Sequence, residues 1–163
     1  MADHAMNRSW PASDVGPFSE RTRMKIIFPA DGSAFTKKAL AFLMTHETLC
    51  GPEDELVVLN VQPPVPPRVK RMLGSGVVND YHQDESRRVL EPIERFLKRH
   101  PVHYTCRSVV GSPAAEILKA IAKERAHMVV MGTHGHGLLG SAVMGSVAQR
   151  VLSDALVPVL LVK

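Results

Sequence analysis

The chain has 163 residues and a mass of 17.9 kDa, a size that fits one compact domain able to bury about two-thirds of its surface. Hydrophobic residues make up 45% and charged residues 22% of the chain, which excludes disordered and fibrous proteins, and no apolar run approaches the ~20 residues that span a bilayer. Because no such run is present, we expect no membrane partner. The formal net charge of +4 is a mild excess and only 5% of the residues are aromatic, so we expect no nucleic-acid partner either.

The chain divides into an N-terminal arm and a domain. Residues 1–23 are polar and contain turn-forming residues without helical or strand periodicity, so we interpret them as an arm attached to a domain of residues 24–163. The arm lacks the apolar core of a signal peptide. Two cysteines, Cys50 and Cys106, are too few for a disulfide framework, and we expect thiols in a cytoplasmic protein.

Strand and helix patterns alternate along the domain. Apolar runs predict five strands, at residues 25–29, 56–61, 102–110, 127–131 and 159–162. Helical spacing of apolar residues predicts four intervening helices: one capped by Ser33 and stopped at Gly51-Pro52, one around Val89 to Leu97, one opening at Ser112-Pro113, and one around Val147 to Leu152. Strands that alternate with helices are joined by right-handed crossovers, which predicts an α/β, Rossmann-like fold with a parallel sheet.

Prolines at two places in the chain predict interruptions of the regular structure. Residues 62–76 hold four prolines and two glycines, and we predict a loop of unusual length there. Pro92 lies inside the second predicted helix and is expected to kink it or to mark a restart.

The glycine-rich segment from Gly132 to Ser146 is the most informative part of the sequence. It follows the fourth strand and precedes the fourth helix, at the sheet edge where open α/β folds bind ligands. Glycines let the main chain approach a ligand closely, and a helix N-terminus attracts phosphate. The segment has no Gly-Lys-Ser/Thr P-loop, so fast hydrolysis is not expected. A loop kept open for packing is the alternative interpretation.

Two other motifs in this segment give weaker evidence of function. The GxGxxG match at Gly135, Gly137 and Gly140 follows the fourth strand, and no acidic residue sits about 20 residues after Gly140, so we interpret the match as accidental. His134 and His136 lack nearby carboxylate or cysteine partners in the sequence, so we expect no metal site.

Asp31 is the second candidate residue. It ends the first strand, in Pro29-Ala30-Asp31-Gly32-Ser33, and an ionised carboxylate can accept hydrogen bonds from ribose hydroxyls. The alternative is a turn residue, a common role of aspartate.

These segments together resemble the universal stress protein family (UspA-like), in its ATP-binding branch. The likeness rests on the strand and turn of residues 26–33, on Gly111-Ser112-Pro113 at the third helix, and on the series Gly132, Gly135, Gly145, Ser146. That series matches the family's nucleotide signature of glycine, two residues, glycine, nine residues, glycine and serine or threonine.

The resemblance implies a five-stranded parallel sheet in the order 3-2-1-4-5 and an ATP site, with Mg²⁺ accompanying the phosphates. Asp31 would contact the ribose and Val61 the adenine, while the helix entry would hold the phosphates. The implied nucleotide-binding residues are Pro29, Ala30, Asp31, Val61, Met131, Gly132, Gly135, Gly145, Ser146, Val147 and Ala148.

The last strand indicates self-association. Residues 159–162 are apolar and no helix follows them, so an edge position would leave backbone groups unpaired. Pairing with a second copy across a two-fold axis would cover them, and the family resemblance implies the same homodimer. A strand inside the sheet is the alternative.

The resemblance therefore implies an ATP-binding protein of the stress response, and the missing P-loop lysine indicates that the nucleotide is a regulatory ligand and not a fuel. Two alternatives remain: an interaction module whose crevice is filled by Leu138, Leu139 and Met144, and a nucleotide-handling enzyme with at most slow ATP hydrolysis.

Overall fold

The computed structural model describes residues 23–135 and 144–163. Apart from Arg23, the predicted N-terminal arm lies outside the described residues, and so do His136, Leu138 and Leu139. The division at residue 23 therefore stays a prediction.

Five strands and four helices alternate along the described chain, as the apolar pattern predicted. They are β1 (Lys25–Pro29), α1 (Ala34–Met44), β2 (Glu55–Gln62), α2 (Pro67–Leu97), β3 (His103–Val110), α3 (Pro113–Glu124), β4 (Met128–Gly132), α4 (Ser146–Asp154) and β5 (Val159–Val162). Ser33 caps α1, because its hydroxyl accepts a hydrogen bond from the Thr36 amide at 3.2 Å.

The strands form one parallel sheet in the order β3-β2-β1-β4-β5, which confirms the predicted topology. The chain order reverses between β1 and β4, where Ile27 pairs with Val129. Ligands in open parallel sheets bind beyond the carboxyl ends of strands at such a reversal. β5 occupies one edge of the sheet, which confirms its predicted edge position.

Alternate strand residues face two separate layers of the core. Ile26, Phe28 and Val58 pack with α1 and α2, whereas Ile27, Val57 and Val129 pack with α3 and α4. Both sheet faces are therefore covered, which explains why the central strands read as continuous apolar runs.

The loop predicted for residues 62–76 is wrong over most of its length. α2 begins at Pro67 and includes Gly76. Proline at the first position of a helix needs no amide partner and has a suitable φ, so Pro67 starts the helix. α2 continues through Pro92, so the helix does not restart there, and the kink predicted at Pro92 stays a prediction. The non-helical residue inside α2 is Gly74, whose φ is 82°.

Charged side chains connect several elements at the amino-terminal edge of the sheet. Lys25 Nζ on β1 lies 3.2 Å from Glu55 Oε2 on β2 and 3.3 Å from Glu124 Oε2 on α3. Glu124 also pairs with Arg107 on β3. This charged cluster lies at the end of the sheet opposite to the glycine-rich segment.

Both cysteines are among the described residues, and they form no disulfide. No helix in the described part of the chain has the length and apolar character needed to cross a membrane.

Candidate functional site

A cavity of about 380 Å³ lies at the carboxyl edge of the sheet, beyond Ile27 and Val129, the last paired residues of β1 and β4. This volume falls in the range of small-molecule sites, about 300–1,000 Å³. All eleven residues singled out in the sequence line it: Pro29, Ala30, Asp31, Val61, Met131, Gly132, Gly135, Gly145, Ser146, Val147 and Ala148. The fold thus gathers them at one place, and their contact with a ligand stays a prediction.

The start of α1 fixes one oxygen of the Asp31 carboxylate. Asp31 Oδ1 accepts hydrogen bonds from the Ser33 amide at 2.9 Å and from Thr36 Oγ1 at 2.6 Å. Thr36 is 4% exposed, so its hydroxyl is a buried anchor. Asp31 therefore acts as a turn residue, as the alternative interpretation expected, and it also places an oriented carboxylate at the cavity.

A buried asparagine fixes the residue before Asp31. The Ala30 amide donates to the Leu59 carbonyl at 2.9 Å, and Asn60 Nδ2 donates to the Ala30 carbonyl at 2.8 Å. Gln62 Nε2 in turn donates to Asn60 Oδ1 at 2.9 Å. β2 thereby holds the end of β1, and sequence reasoning missed this role although a polar residue inside an apolar strand was a visible signal.

Three glycines permit close contacts around the cavity. A Cβ on Gly135 would lie 2.7 Å from Asp31 Oδ2, and a Cβ on Gly132 would lie 2.6 Å from Phe35 Cβ. A Cβ on Gly145 would lie 3.3 Å from the Thr133 carbonyl oxygen, which accepts the Gly145 amide at 2.9 Å. The absence of side chains therefore lets the loop after β4 lie directly against Asp31 and against the start of α4.

The first turn of α4 borders the cavity. Ser146, Val147 and Ala148 open this helix and line the cavity. The amides of a first turn have no acceptor within their own helix. Gly145, the N-cap, supplies no side-chain acceptor, and the turn contains no acidic residue. This end of α4 is therefore suited to an anion.

The remaining lining residues were not predicted. They supply an apolar wall and a few polar groups: Thr36, Leu59, Pro63, Pro113, Ile117, Thr133 and His134. Leu59 and Ile117 are signalled only by their buried strand and helix positions, which do not distinguish a cavity wall from core. The His134 ring lies 4.9 Å from the Phe35 ring, and its Nδ1 lies 2.9 Å from Thr133 Oγ1.

The cavity is nearly free of cationic side chains. No lysine or arginine occurs among the described residues that line it. In residues 23–135 and 144–163, no group of three or more His, Cys, Asp or Glu side chains is arranged to hold a metal ion. Met144 packs against the core layer of Ile27 and Val57, and it is not one of the lining residues.

Comparison with known proteins identifies the family. The model of the universal stress protein family matches residues 22–163. The chain is also 30% identical over 146 residues to universal stress protein MJ0531 of Methanocaldococcus jannaschii, a match that covers 88% of this chain and 84% of the relative. The chain therefore belongs to the universal stress protein family.

Solved structures agree with this assignment. The structure of MJ0577, a universal stress protein of the same archaeon, has a TM-score of 0.74 and 27% identity, covering 86% of this chain and 95% of that one. A universal stress protein from Archaeoglobus fulgidus in complex with dAMP has a TM-score of 0.63 and 21% identity, covering 86% of this chain and 98% of that one.

Proposed function

We propose that the cavity at the carboxyl edge of the sheet binds ATP together with Mg²⁺, and that the nucleotide is a regulatory ligand in the stress response. The observation that carries this proposal is the convergence of an oriented carboxylate, a glycine-lined loop and a helix N-terminus on one cavity. The dAMP complex of the Archaeoglobus relative supports an adenine nucleotide as the ligand class.

The two sides of the cavity suit different parts of a nucleotide. Val61, Leu59 and Ile117 supply apolar contact, which favours the adenine base. Asp31, oriented through Thr36, is suited to accept hydrogen bonds from ribose hydroxyls.

The phosphates are assigned to the other side. The first-turn amides of α4 and the Ser146 hydroxyl are donors suited to phosphate oxygens. Gly135 and Gly145 let the backbone lie close enough for these donors to act without interposed side chains. Mg²⁺ would be held mainly by phosphate oxygens and water, as is usual for this ion.

The absence of lysine and arginine from the described lining favours binding over rapid turnover. Phosphoryl-transfer sites commonly use a cationic side chain to stabilise the charge that develops on the transferred group. A bound nucleotide would instead stabilise one conformation of the protein, which another molecule could read. We propose a cytoplasmic location for this function.

We also propose a homodimer formed through β5. This strand lies at the sheet edge, its four residues are half-buried, and the nearby Leu156 is fully exposed. Analytical ultracentrifugation should show a dimer that Leu156→Lys weakens. Val110→Lys, a matched change on the opposite edge strand, should leave the dimer intact; a monomeric wild-type protein would contradict the proposal.

Thermal unfolding tests the nucleotide proposal. Saturating ATP with Mg²⁺ should raise the midpoint, since a ligand at 100 times its Kd adds about 2.7 kcal/mol to the free energy of unfolding. Asp31→Asn should reduce the shift because it weakens the acceptor assigned to ribose. An unchanged midpoint at millimolar ATP would overturn the proposal and favour the interaction-module alternative.

A further inference from the structure

The first part of α2 projects from the body of the domain. Residues 67–77 contain no buried side chain, and Val78 is the first buried residue of this helix. At about 1.5 Å per residue, the helical part before Gly74 is about 10 Å long. Gly74, with a φ of 82°, separates its first seven residues from the rest of the helix. We call residues 67–73 the projecting turn segment.

One side of the projecting turn segment is apolar and faces solvent. Val69 is 36%, Met72 75% and Leu73 54% exposed. At about 100° per residue, these three side chains occupy one arc of about 100° around the helix axis. Val77 and Tyr81, beyond Gly74, are also more than half exposed. Contiguous exposed apolar side chains are typical of interaction sites, whereas single exposed apolar residues occur on most protein surfaces.

The other side of the same segment is basic. Arg68, Lys70 and Arg71 are exposed and form no salt bridge within the described part of the chain. No aspartate or glutamate occurs from residue 56 to residue 79. Further along α2, by contrast, Arg87 and Arg88 are paired with acidic side chains three residues earlier. The positive charge of the projecting turn segment is therefore uncompensated.

We propose that the projecting turn segment is an interfacial helix that docks the protein reversibly on an anionic lipid bilayer. Arg68 and Lys70 border the two sides of the apolar arc. Long basic side chains at such borders can reach lipid headgroups while the apolar side chains enter the boundary of the acyl region. A flat anionic surface can meet the apolar arc and the two basic side chains that border it at once, whereas a protein groove would enclose the arc and leave these charges outside it.

This inference is independent of nucleotide binding, and it departs from the sequence-based expectation of no membrane partner. That expectation rested on the lack of a spanning segment, but docking on the surface of a bilayer requires none. Each basic residue near an anionic surface increases partitioning about five-fold, so Arg68 and Lys70 at the borders of the arc together contribute on the order of 25-fold. Arg71 lies on the opposite side of the helix and adds less. Because the apolar segment is short, we expect weak binding that salt weakens further.

Co-sedimentation of the full chain with vesicles tests the proposal. We expect binding to phosphatidylcholine vesicles that contain about 30% phosphatidylglycerol, weak binding to phosphatidylcholine alone, and release by about 0.5 M salt. The triple variant Arg68→Gln, Lys70→Gln and Arg71→Gln should lose most of the binding, and so should Met72→Ser with Leu73→Ser. All five positions are exposed, so these changes should leave the fold intact, which circular dichroism can verify.

A matched control separates this site from the general positive charge of the protein. Arg95→Gln, Lys98→Gln and Arg99→Gln remove the same charge from exposed positions at the other end of α2 and should bind vesicles as the wild type does. Equal loss in both triple variants, or no binding of the wild type to anionic vesicles, would overturn the proposal.

Insertion has its own readout. Trp10 is the single tryptophan of the chain, so Trp10→Phe with Met72→Trp places one fluorophore on the apolar arc. Its emission should shift to the blue on anionic vesicles. Binding without that shift would mean adsorption by charge alone and would contradict an interfacial helix.

Discussion

At the scale of single residues, the carboxylate of Asp31 owes its orientation to a local turn and a buried threonine. The Ser33 amide and the Thr36 hydroxyl both bind Oδ1, and Ser33 also caps α1. The same hydrogen bonds therefore start a helix and hold a side chain at the cavity. We therefore expect a change at this point to affect both stability and ligand binding.

Replacing Thr36 tests that link. Thr36→Val keeps the shape of the side chain but removes the hydroxyl. That hydroxyl donates to the Asp31 carboxylate and accepts a hydrogen bond from the Asp31 amide. We expect a loss of about 1–3 kcal/mol in the free energy of unfolding and weaker ATP binding, measured by chemical denaturation and calorimetry. Thr36→Ser, which keeps the hydroxyl, should restore ATP affinity; if Val and Ser variants bind equally, the hydroxyl does not position Asp31.

Gly132 supports a prediction about packing. A Cβ there would lie 2.6 Å from Phe35 Cβ and 2.9 Å from the Phe35 carbonyl carbon, so the backbone of α1 has to move. Gly132→Ala should therefore destabilise the protein by about 1–3 kcal/mol, measured by urea denaturation. Gly76→Ala is the matched control, since at that exposed helical position a Cβ would meet no atom within 4 Å beyond the adjacent residues and the backbone of its own helix. Equal stability of the two variants would contradict the packing.

At the scale of the elements, the charged cluster joins three strands and a helix at the amino-terminal edge. Burial by itself would raise the pKa of Glu124, but hydrogen bonds and charges from Lys25 and Arg107 outweigh it and lower the pKa below its ordinary value. The hydrogen bond to Glu55 is the main cause that raises the pKa of Lys25, with Glu124 adding to it. Both groups are therefore favoured in their charged forms in the folded protein.

The pH dependence of stability follows from the lowered pKa of Glu124. A carboxyl whose folded pKa is depressed contributes stability above its unfolded pKa, near 4.5, and loses that contribution as the pH falls through the folded value. Glu124→Gln should lower the free energy of unfolding by about 1–3 kcal/mol at neutral pH. The difference in stability from the wild type should shrink as the pH falls below 4.5 and through the folded pKa. Glu53→Gln, at an exposed position without a salt bridge in the described chain, should cost little; a difference that persists at low pH would exclude the ionic contribution.

Prediction from the sequence succeeded where a pattern is local. The alternation of strands and helices followed from apolar spacing, and the strand order came with the family resemblance, as did the eleven cavity residues. The helix at 67–76 was missed because prolines and glycines usually break structure, whereas Pro67 starts a helix and Gly74 interrupts one. The contact of Asn60 with Ala30, thirty residues away, depends on strand pairing and is invisible in a local pattern.

At the scale of the whole molecule, the two ends of the sheet differ in kind. Salt bridges join the strands at the amino edge, while the carboxyl edge opens a cavity bordered by glycines and helix amides. The salt bridges and the cavity therefore lie at opposite ends of the sheet. Changes in the charged cluster should therefore alter stability with little effect on nucleotide affinity.

Calorimetric titration of ATP with Mg²⁺ into the wild type and Gly135→Ala tests the central proposal most directly. A methyl group at Gly135 would meet Asp31 Oδ2 at 2.7 Å, at the centre of the site. We expect one nucleotide per chain for the wild type, at least about ten-fold weaker binding for Gly135→Ala, equal to about 1.4 kcal/mol, and wild-type affinity for Gly76→Ala. No binding heat with wild-type protein, or equal affinity in all three proteins, would contradict nucleotide binding in this cavity.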